Sequence, residues 1–173
     1  MSEWASLIRD VPDFPEPGIL FKDVTPLLAD ARGFAVCLHD MAAPWHDRGI
    51  EVVCGIESRG FIFGAALASM LGVGFVPLRK AGKLPAATEG VDYTLEYDHA
   101  RLEIHRDALM PGQRVLIVDD VLATGGTLAA SRELVEQVGA TVAGAVVVLE
   151  LAFLDGRSRW SDGAPLEALV SYP

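Results

Sequence analysis

The sequence predicts an α/β fold with an open, twisted and mainly parallel sheet that is flanked by helices. Short apolar segments with strand character alternate with segments of helical length from residue 51 to residue 149. This alternation is typical of right-handed crossovers between parallel strands. Of the 173 residues, 51% are apolar and only 8% are aromatic, which suits a parallel sheet covered by helices. The length is that of one domain, so we expect residues 1–173 to form a single domain.

The first 49 residues are expected to contain two helices with an irregular segment between them. Three prolines and a glycine exclude regular structure across residues 12–18. Apolar residues at helical spacing predict a short first helix: Trp4, Leu7, Ile8 and Val11. The same spacing predicts a second helix that ends near Gly49: Phe34, Leu38, Met41 and Trp45.

The following segments supply the central sheet and its helices. Four strands are predicted: Glu51–Ile56, Gly74–Leu78, Arg114–Val118 and Thr141–Leu149. Two helices are predicted, at Gly60–Leu71 and at Thr127–Val138, and Gly139 provides the C-cap of the second. The third strand is almost wholly apolar, so we expect it to be buried on both faces of the sheet.

The segment Ala81–Pro111 interrupts this alternation. It is polar, and a weak strand pattern is confined to Tyr93–Tyr97 and Arg101–His105. A segment of this length between core strands is usually a functional lid or a hairpin excursion. We therefore expect a mobile flap with β-hairpin character.

Composition excludes several classes of function. The net charge of −10 and the isoelectric point near 4.7 argue against nucleic-acid binding, which depends on clustered Lys and Arg. No apolar run approaches the ~18 residues that cross a bilayer, and residues 1–10 lack the pattern of a signal peptide. Cys37 and Cys54 lie in apolar runs and are expected to be buried thiols. We therefore expect a cytoplasmic protein without a membrane or nucleic-acid partner.

The segment Val115–Thr127 carries the most information about function. A buried strand leads into two adjacent carboxylates, a loop with two glycines and the start of a helix. Ligands of open parallel sheets bind beyond the carboxyl ends of the strands. Gly125 and Gly126 let backbone N–H groups approach a phosphate, and the helix N-terminus adds its positive dipole end. Thr124 and Thr127 add hydroxyl donors, so the segment predicts a phosphate site.

Asp119 and Asp120 indicate a sugar beside that phosphate. A phosphate needs no carboxylates, whereas the vicinal hydroxyls of a ribose can donate hydrogen bonds to them. A Walker loop is excluded because no Gly-Lys-Ser/Thr follows, and a dinucleotide fingerprint is excluded because the acids precede the glycines. The alternative is that this segment has no binding role and is only a strand end with two solvated acids and a tight turn. We expect both acids to bind a ribose whose 5′-phosphate lies in the loop.

At these residues the sequence resembles the phosphoribosyltransferase family. The family signature is four apolar residues, two acids, two apolar residues and Ala/Thr-Thr-Gly-Gly-Thr/Ser, and it is matched in full from Val115 to Thr127. The resemblance implies the type I phosphoribosyltransferase fold, with a small hood at residues 1–30 and a flap at residues 81–111. It also implies that a nitrogen base displaces the diphosphate of 5-phosphoribosyl 1-diphosphate. The residues implied to bind ribose 5-phosphate are Asp119, Asp120, Ala123, Thr124, Gly125, Gly126 and Thr127.

Further segments resemble the members of the family that use adenine. These segments are Phe14–Leu28, Glu57–Gly64, Arg79–Pro85 and Tyr93–Tyr97. The resemblance implies transfer to adenine, with AMP and diphosphate as products, as a step of purine salvage. The residues implied to bind the base are Leu20, Phe21, Lys22 and Arg59. The alternatives from local sequence are core packing for Leu20 and Phe21 and a surface position for Arg59.

The same resemblance implies a diphosphate site and a magnesium ion. The residues implied to line the diphosphate site are Glu57, Ser58, Arg59, Arg79, Lys80 and Lys83. The basic members of this set would offset the negative charge of the chain. Mg²⁺ is expected to be held mainly by substrate and water rather than directly by protein ligands. The resemblance also places a non-proline cis peptide bond between Glu57 and Ser58.

The flap resemblance assigns a catalytic role to Glu96, with Tyr97 shielding the site. The alternative for Glu96 is a solvated carboxylate. The sequence departs from the family where Asp98 and His99 replace the usual Gly and Lys, so the fixed positive charge that a lysine would bring to a flap contact with diphosphate is lost at position 99. Lys22 stands where an arginine is common, so bidentate bonding is lost there.

Two other functions compete with this interpretation. One is a phosphoribosyltransferase for another base, such as xanthine, hypoxanthine or orotate. The other is a non-catalytic regulator that binds ribose phosphate, although such proteins usually carry an added DNA-binding domain, for which this acidic chain has neither room nor charge. The resemblance further implies a homodimer, for which the apolar residues Phe61–Phe63 are a candidate contact.

Overall fold

The structure is a computed structural model that describes residues 3–94, 99–160 and 163–173. The chain divides into two compact units, Met1–Asp40 and Met41–Pro173. The single domain and the hood over residues 1–30 stay predictions, because the division into units does not test them.

The first unit contains a small antiparallel sheet and helices. A 3₁₀ helix (Glu3–Leu7) precedes strand β1, which pairs with strand β2. The elements that follow the 3₁₀ helix are β1 (Arg9–Pro12), β2 (Leu20–Asp23), α1 (Thr25–Ala29) and α2 (Ala31–Ala42), of which α2 extends two residues into the second unit. The prediction of helix as far as Val11 was wrong, because Val11 lies opposite Phe21 in the β1–β2 ladder and its backbone is extended there.

The second unit is built on a seven-stranded sheet with the order β5-β6-β4-β3-β7-β8-β9. Its strands are β3 (Val52–Ile56), β4 (Gly74–Lys80), β5 (Thr88–Thr94), β6 (His99–His105), β7 (Arg114–Leu122), β8 (Thr141–Leu151) and β9 (Leu166–Tyr172). Five neighbouring strands pair in parallel, in the order β4, β3, β7, β8 and β9. Strands β5 and β6 form an antiparallel hairpin at the β4 edge of the sheet. The predicted open, mainly parallel sheet is confirmed.

Two helices cover opposite faces of this sheet. Helix α3 (Gly60–Leu71) packs closely because Gly64 lies against the backbone of Gly55 in β3. Helix α4 (Gly126–Gln137) contributes Leu134 to the core cluster on the other face, which includes Cys54 of β3. Successive strand residues point to opposite faces of the sheet. Cys54 therefore lies on the face covered by α4, and Gly55 lies on the face covered by α3.

The hairpin β5–β6 confirms the predicted hairpin character of the flap segment. Val91, Leu102 and Ile104 of its strands are buried in the core cluster on the α4 side. Residues 95–98 lie outside the described part of the chain, and flap mobility stays a prediction.

Both cysteines are fully buried thiols, as predicted. Cys37 lies in α2 of the first unit and Cys54 in β3 of the second. Burial raises the pKa of Cys37 to about 12 and also raises that of Cys54. Neither thiol is therefore set up to act as a nucleophile. Among the described helices, none is long and apolar enough to span a membrane.

Candidate active site

The candidate site lies where two central strands of the sheet end. Strands β3 and β7 are parallel neighbours, with Gly55 opposite Val118. From β3 the chain continues to β4 on one side, and from β7 it continues to β8 on the other. Such a switch point opens a crevice at the carboxyl ends of the strands. The segments 57–60 and 119–127 both lie at this crevice.

A cleft of about 260 Å³ joins these two segments. Its lining residues are Glu57, Ser58, Arg59, Lys80, Tyr93, Asp119, Asp120, Val121 and Thr127. The structure thus brings residues predicted for diphosphate together with those predicted for ribose. Tyr93 is an addition, since the sequence placed it only at the start of the flap resemblance.

Asp119 and Asp120 are the buried acids of the cleft, with exposed fractions of 8% and 4%. Arg59 donates from Nε to Asp120 Oδ2 at 2.5 Å. The Asp120 amide donates to Asp119 Oδ1 at 2.9 Å. Burial, followed by the negative charge of Asp120, raises the pKa of Asp119 well above its usual range. Asp119 is thus held in an environment that disfavours its charged form.

The raised pKa of Asp119 predicts a pH-dependent gain in stability for Asp119→Asn. A carboxyl with a higher pKa in the folded state loses stabilisation as pH rises through that pKa. The variant should therefore melt close to the wild type near pH 4 and above it, by on the order of a few degrees, near pH 8. Calorimetry across this range measures the difference, and a variant that is less stable at pH 8 would contradict the burial argument.

Glu57 organises the basic residues at the end of β4. Arg79 donates to the Glu57 carboxylate from Nε at 3.3 Å, and the Lys80 amide donates to it at 3.0 Å. Arg79 also donates to the Lys83 carbonyl at 3.0 Å. Burial alone would raise the pKa of Glu57, but the Lys80 amide and Arg79 together lower it. The Glu57 carboxylate is therefore occupied by Arg79 and Lys80.

The turn from β3 into α3 contains the cis peptide bond expected between Glu57 and Ser58. Gly60, the first residue of α3, lies directly against β7. A Cβ at Gly60 would come within 2.8 Å of Asp119 Oδ1 and of the Val118 carbonyl. The absence of a side chain at this position therefore lets the first turn of α3 approach the acids.

The predicted phosphate loop encloses a second, smaller cavity of about 120 Å³ beside the cleft. Its lining residues are Asp119, Val121, Leu122, Ala123, Thr124, Gly125, Thr127 and Leu128. Gly125 is the N-cap of α4 and has a φ of +79°, a left-handed conformation that favours glycine. Gly126 opens the helix, so the cavity faces the positive end of the α4 dipole.

Three of the four residues predicted to bind the base, Leu20, Phe21 and Lys22, lie in β2 of the first unit, and the fourth, Arg59, precedes α3 in the second unit. Phe21 stacks edge-on against Phe14, with ring centroids 5.2 Å apart, and both rings line an apolar cavity of about 280 Å³ in that unit. Leu20 is exposed, which excludes a core position for it. Lys22 donates to Asp10 Oδ1 at 2.6 Å. Neither side chain of the predicted flap pair, Glu96 and Tyr97, lies within the described residues, and the side chain of His99 lies outside them as well.

No group of three or more His, Cys, Asp or Glu side chains forms a metal site within residues 3–94, 99–160 and 163–173. The cleft does contain two adjacent carboxylates, Asp119 and Asp120. Carboxylate oxygen is the protein donor that Mg²⁺ prefers, and Mg²⁺ commonly completes its shell with substrate phosphate and water. The chemistry of the cleft therefore fits a magnesium ion that arrives with a phosphorylated substrate.

Comparison with known proteins identifies the family. The phosphoribosyl transferase domain model matches residues 22–163. An adenine phosphoribosyltransferase of Nocardioides sp. (strain JS614) is 58% identical, over 99% of this chain and 94% of its own. The crystal structure of the Thermoanaerobacter pseudethanolicus enzyme of that name is 50% identical, with a TM-score of 0.94 and 98% of each chain covered.

A ligand-bound structure agrees in fold over the whole chain. The Giardia lamblia enzyme, complexed with 9-deazaadenine, is 38% identical and has a TM-score of 0.94, with 100% of this chain and 99% of its own covered. The match from Val115 to Thr127 noted in the sequence lies inside the domain model. The chain belongs to the phosphoribosyltransferase family, and within it to the adenine phosphoribosyltransferases.

Proposed function

We propose that this chain transfers the 5-phosphoribosyl group from 5-phosphoribosyl 1-diphosphate to adenine, which gives AMP and diphosphate. The observation that carries the proposal is the pair of buried carboxylates, Asp119 and Asp120. They lie between Arg59, which follows β3, and the glycine loop that precedes α4. The test is mass-spectrometric detection of AMP from adenine, donor and Mg²⁺, beside reactions with hypoxanthine, xanthine and orotate. A product with another base but none with adenine would overturn the proposal.

The two neighbouring cavities support the following arrangement of the donor. Its 5-phosphate occupies the smaller cavity, where the amides of residues 123–127 and the hydroxyls of Thr124 and Thr127 donate to it. Its ribose hydroxyls donate to Asp119 and Asp120. Its diphosphate lies in the larger cleft beside Arg59 and the amides that follow β3, with Arg79, Lys80 and Lys83 as the basic surroundings. Glu57 contributes by holding Arg79 and the Lys80 backbone rather than by touching the anion, because a carboxylate repels diphosphate.

Magnesium fits this arrangement as a cofactor bound through the donor. Asp119 and Asp120 would hold it through water and ribose hydroxyls, without a dedicated set of protein ligands. When bound, it neutralises charge on the departing diphosphate.

The chemistry follows from where the side chains put charge. As the bond from C1 of the ribose to diphosphate breaks, positive charge develops on the ribose and negative charge on the leaving group. Asp119 and Asp120 accept hydrogen bonds from the ribose hydroxyls, the carboxylate of Asp120 places negative charge beside the ribose, and Arg59 places positive charge beside the diphosphate. The purine nitrogen attacks from the opposite side of the ribose ring. Leu20 and the guanidinium of Arg59 hold the base, while the backbone at Phe21 and Lys22 reads its edge.

The flap supplies the remaining groups of this mechanism. Glu96 accepts the proton that leaves the attacking purine nitrogen, and Tyr97 and His99 belong to the part of the flap that excludes water from the reacting donor. The positions of Glu96 and Tyr97 rest on resemblance alone, because both lie outside the described residues.

Glu96→Gln tests the role of the flap in proton transfer. Loss of a general acid or base is expected to lower kcat by about a hundredfold, with a much smaller change in the KM for the donor. Steady-state kinetics measure both constants, and Glu89→Gln provides a matched control, since Glu89 is a half-buried carboxylate of the hairpin stem that pairs with Arg106. If kcat of Glu96→Gln stays near the wild-type value, Glu96 is a solvated acid of the flap.

The proposal includes a homodimer that works in the cytoplasm. Ile62 on α3 is an exposed apolar side chain and Phe61 is partly exposed, whereas Phe63 is buried in the core. The contact predicted at Phe61–Phe63 is therefore proposed for Phe61 and Ile62 only. Light scattering of the wild type and of Ile62→Asp tests it.

The proposed cytoplasmic location is supported by the cysteines, because two buried thiols without a disulfide fit a reducing compartment.

A further inference from the structure

The loop after β8 approaches the backbone of the phosphate loop closely at Gly156. A Cβ built on Gly156 would lie 2.0 Å from the Ala123 carbonyl oxygen and 2.8 Å from the Gly125 nitrogen. A Cβ built on Gly125 would lie 2.1 Å from the Gly156 carbonyl oxygen. The two loops, whose glycines are 31 positions apart in sequence, therefore pack with no room for a side chain on either glycine.

The conformation of Gly156 does not explain why glycine is needed there. Gly125 has a positive φ, so its conformation favours glycine independently of any contact, but Gly156 has none. An alanine at position 156 would have no positive φ to adopt, and the nearest atoms that its Cβ would meet belong to the backbone of Ala123 and Gly125. Gly156 is therefore required by proximity to the phosphate loop.

A bidentate ion pair fixes Gly156 in this place. Arg157, the next residue, donates from Nε and Nη2 to the two carboxylate oxygens of Glu150 at 3.0 Å and 2.8 Å. Its Nη1 donates to the Leu166 carbonyl at 2.8 Å. Glu150 is buried near the end of β8 and Leu166 begins β9. The guanidinium thus ties the Gly156 loop to two strands of the sheet in a fixed orientation.

We propose that Gly156 and the Glu150–Arg157 pair are positioning residues for the 5-phosphate of the donor. They act by pressing the backbone of residues 123–125 into the shape that directs amides at the phosphate. This inference rests on the proposed phosphate site in that loop. The three residues touch neither the cleft nor the acids, so they act through the loop and not on the reacting bond.

The role predicts a specific kinetic signature. The 5-phosphate does not change during the reaction, so its contacts are equal in the ground state and in the transition state. Loss of such contacts raises KM and leaves kcat unchanged. A general loss of folded enzyme would instead lower the apparent kcat at constant KM.

The experiment compares Gly156→Ala with Gly74→Ala in the full chain. Gly74 also has no positive φ, and a Cβ there meets only Val52 Cγ2 at an ordinary 3.9 Å, so this variant controls for the glycine-to-alanine change itself. Gly156→Ala should raise the KM for 5-phosphoribosyl 1-diphosphate by about tenfold to a hundredfold, with kcat and the KM for adenine close to wild type. Arg157→Gln should shift the same constant in the same direction but less, and it covers the case in which Gly156→Ala does not fold.

Two results would overturn the inference. A third variant tests the proposed phosphate site independently of the positioning role. An unchanged donor KM in both Gly156→Ala and Arg157→Gln overturns the inference, as does a fall in kcat at constant KM. Thr127→Val removes a proposed phosphate donor without touching Gly156. If Thr127→Val raises the donor KM and the other two variants do not, the phosphate site stands and the positioning role fails. If Thr127→Val also leaves KM unchanged, the phosphate site itself is misplaced.

Discussion

Replacing Asp119 and Asp120 together by Asn is expected to lower kcat by about a thousandfold or more while the protein stays folded. Both acids are buried at the carboxyl end of β7, and both line the cleft. Asn keeps their size and their acceptor oxygens but removes the negative charge beside the ribose. Single-turnover kinetics at saturating donor and adenine measure the chemical step directly.

The matched control for this change is Asp47→Asn with Asp107→Asn. Both of these acids are exposed, and the double variant shifts the net charge from −10 by the same two units. It should turn over at the wild-type rate, which separates the local effect of Asp119 and Asp120 from the overall charge. Turnover of the Asp119/Asp120 variant within a few-fold of the wild type would remove these acids from the mechanism. A cooperative melting transition distinguishes a catalytic loss from unfolding.

Arg59→Gln is expected to have the second largest effect, a fall in kcat/KM for the donor of about a hundredfold or more. The guanidinium is proposed to face diphosphate and to stack on the base, and it binds Asp120 at 2.5 Å. Gln removes the charge and the planar fork together. Arg59→Lys restores the charge only, so it should recover part of the lost kcat/KM for the donor and little of the kcat/KM for adenine.

The ion pair between Arg59 and Asp120 makes a double-mutant cycle informative. If the two residues act as a unit, Arg59→Gln combined with Asp120→Asn should lose less activity than the sum of the single losses. Arg106→Gln is the matched control, since Arg106 is an exposed arginine of the hairpin that pairs with Glu89. Strict additivity would show that the contact seen in the free protein has no part in the reaction.

The sequence predicted the centre of the fold well because the signals there are local. The boundaries of α3 were predicted without error, and those of α4 to within one residue. Strand β7 was predicted to end at Val118, yet it continues to Leu122. The acids looked like the start of a loop, but Asp119 and Val121 remain opposite strand β8. A pairing partner is not visible in the residues of one strand.

The features that escaped prediction depend on distant residues. Strand β1 read as helix because nothing near Val11 reveals that Phe21 pairs with it. The ion pair of Arg59 with Asp120 joins residues 61 positions apart. Gly156 carries no local signal at all, since the need for glycine comes from Gly125 and Ala123, which lie 31 and 33 positions earlier. Tyr93 enters the cleft only because the hairpin returns to the sheet beside β4.

Each compact unit contains one buried thiol, whose reaction with a reagent can report the opening of that unit. Cys37 belongs to the first unit and Cys54 to the second, and both side chains are inaccessible in the folded protein. A thiol reagent reacts only when the surrounding segment opens, so the labelling rate of each cysteine measures the opening of its own unit. Peptide mapping after timed labelling would show whether the residues proposed to read adenine and those proposed to hold ribose phosphate unfold in one event or in two.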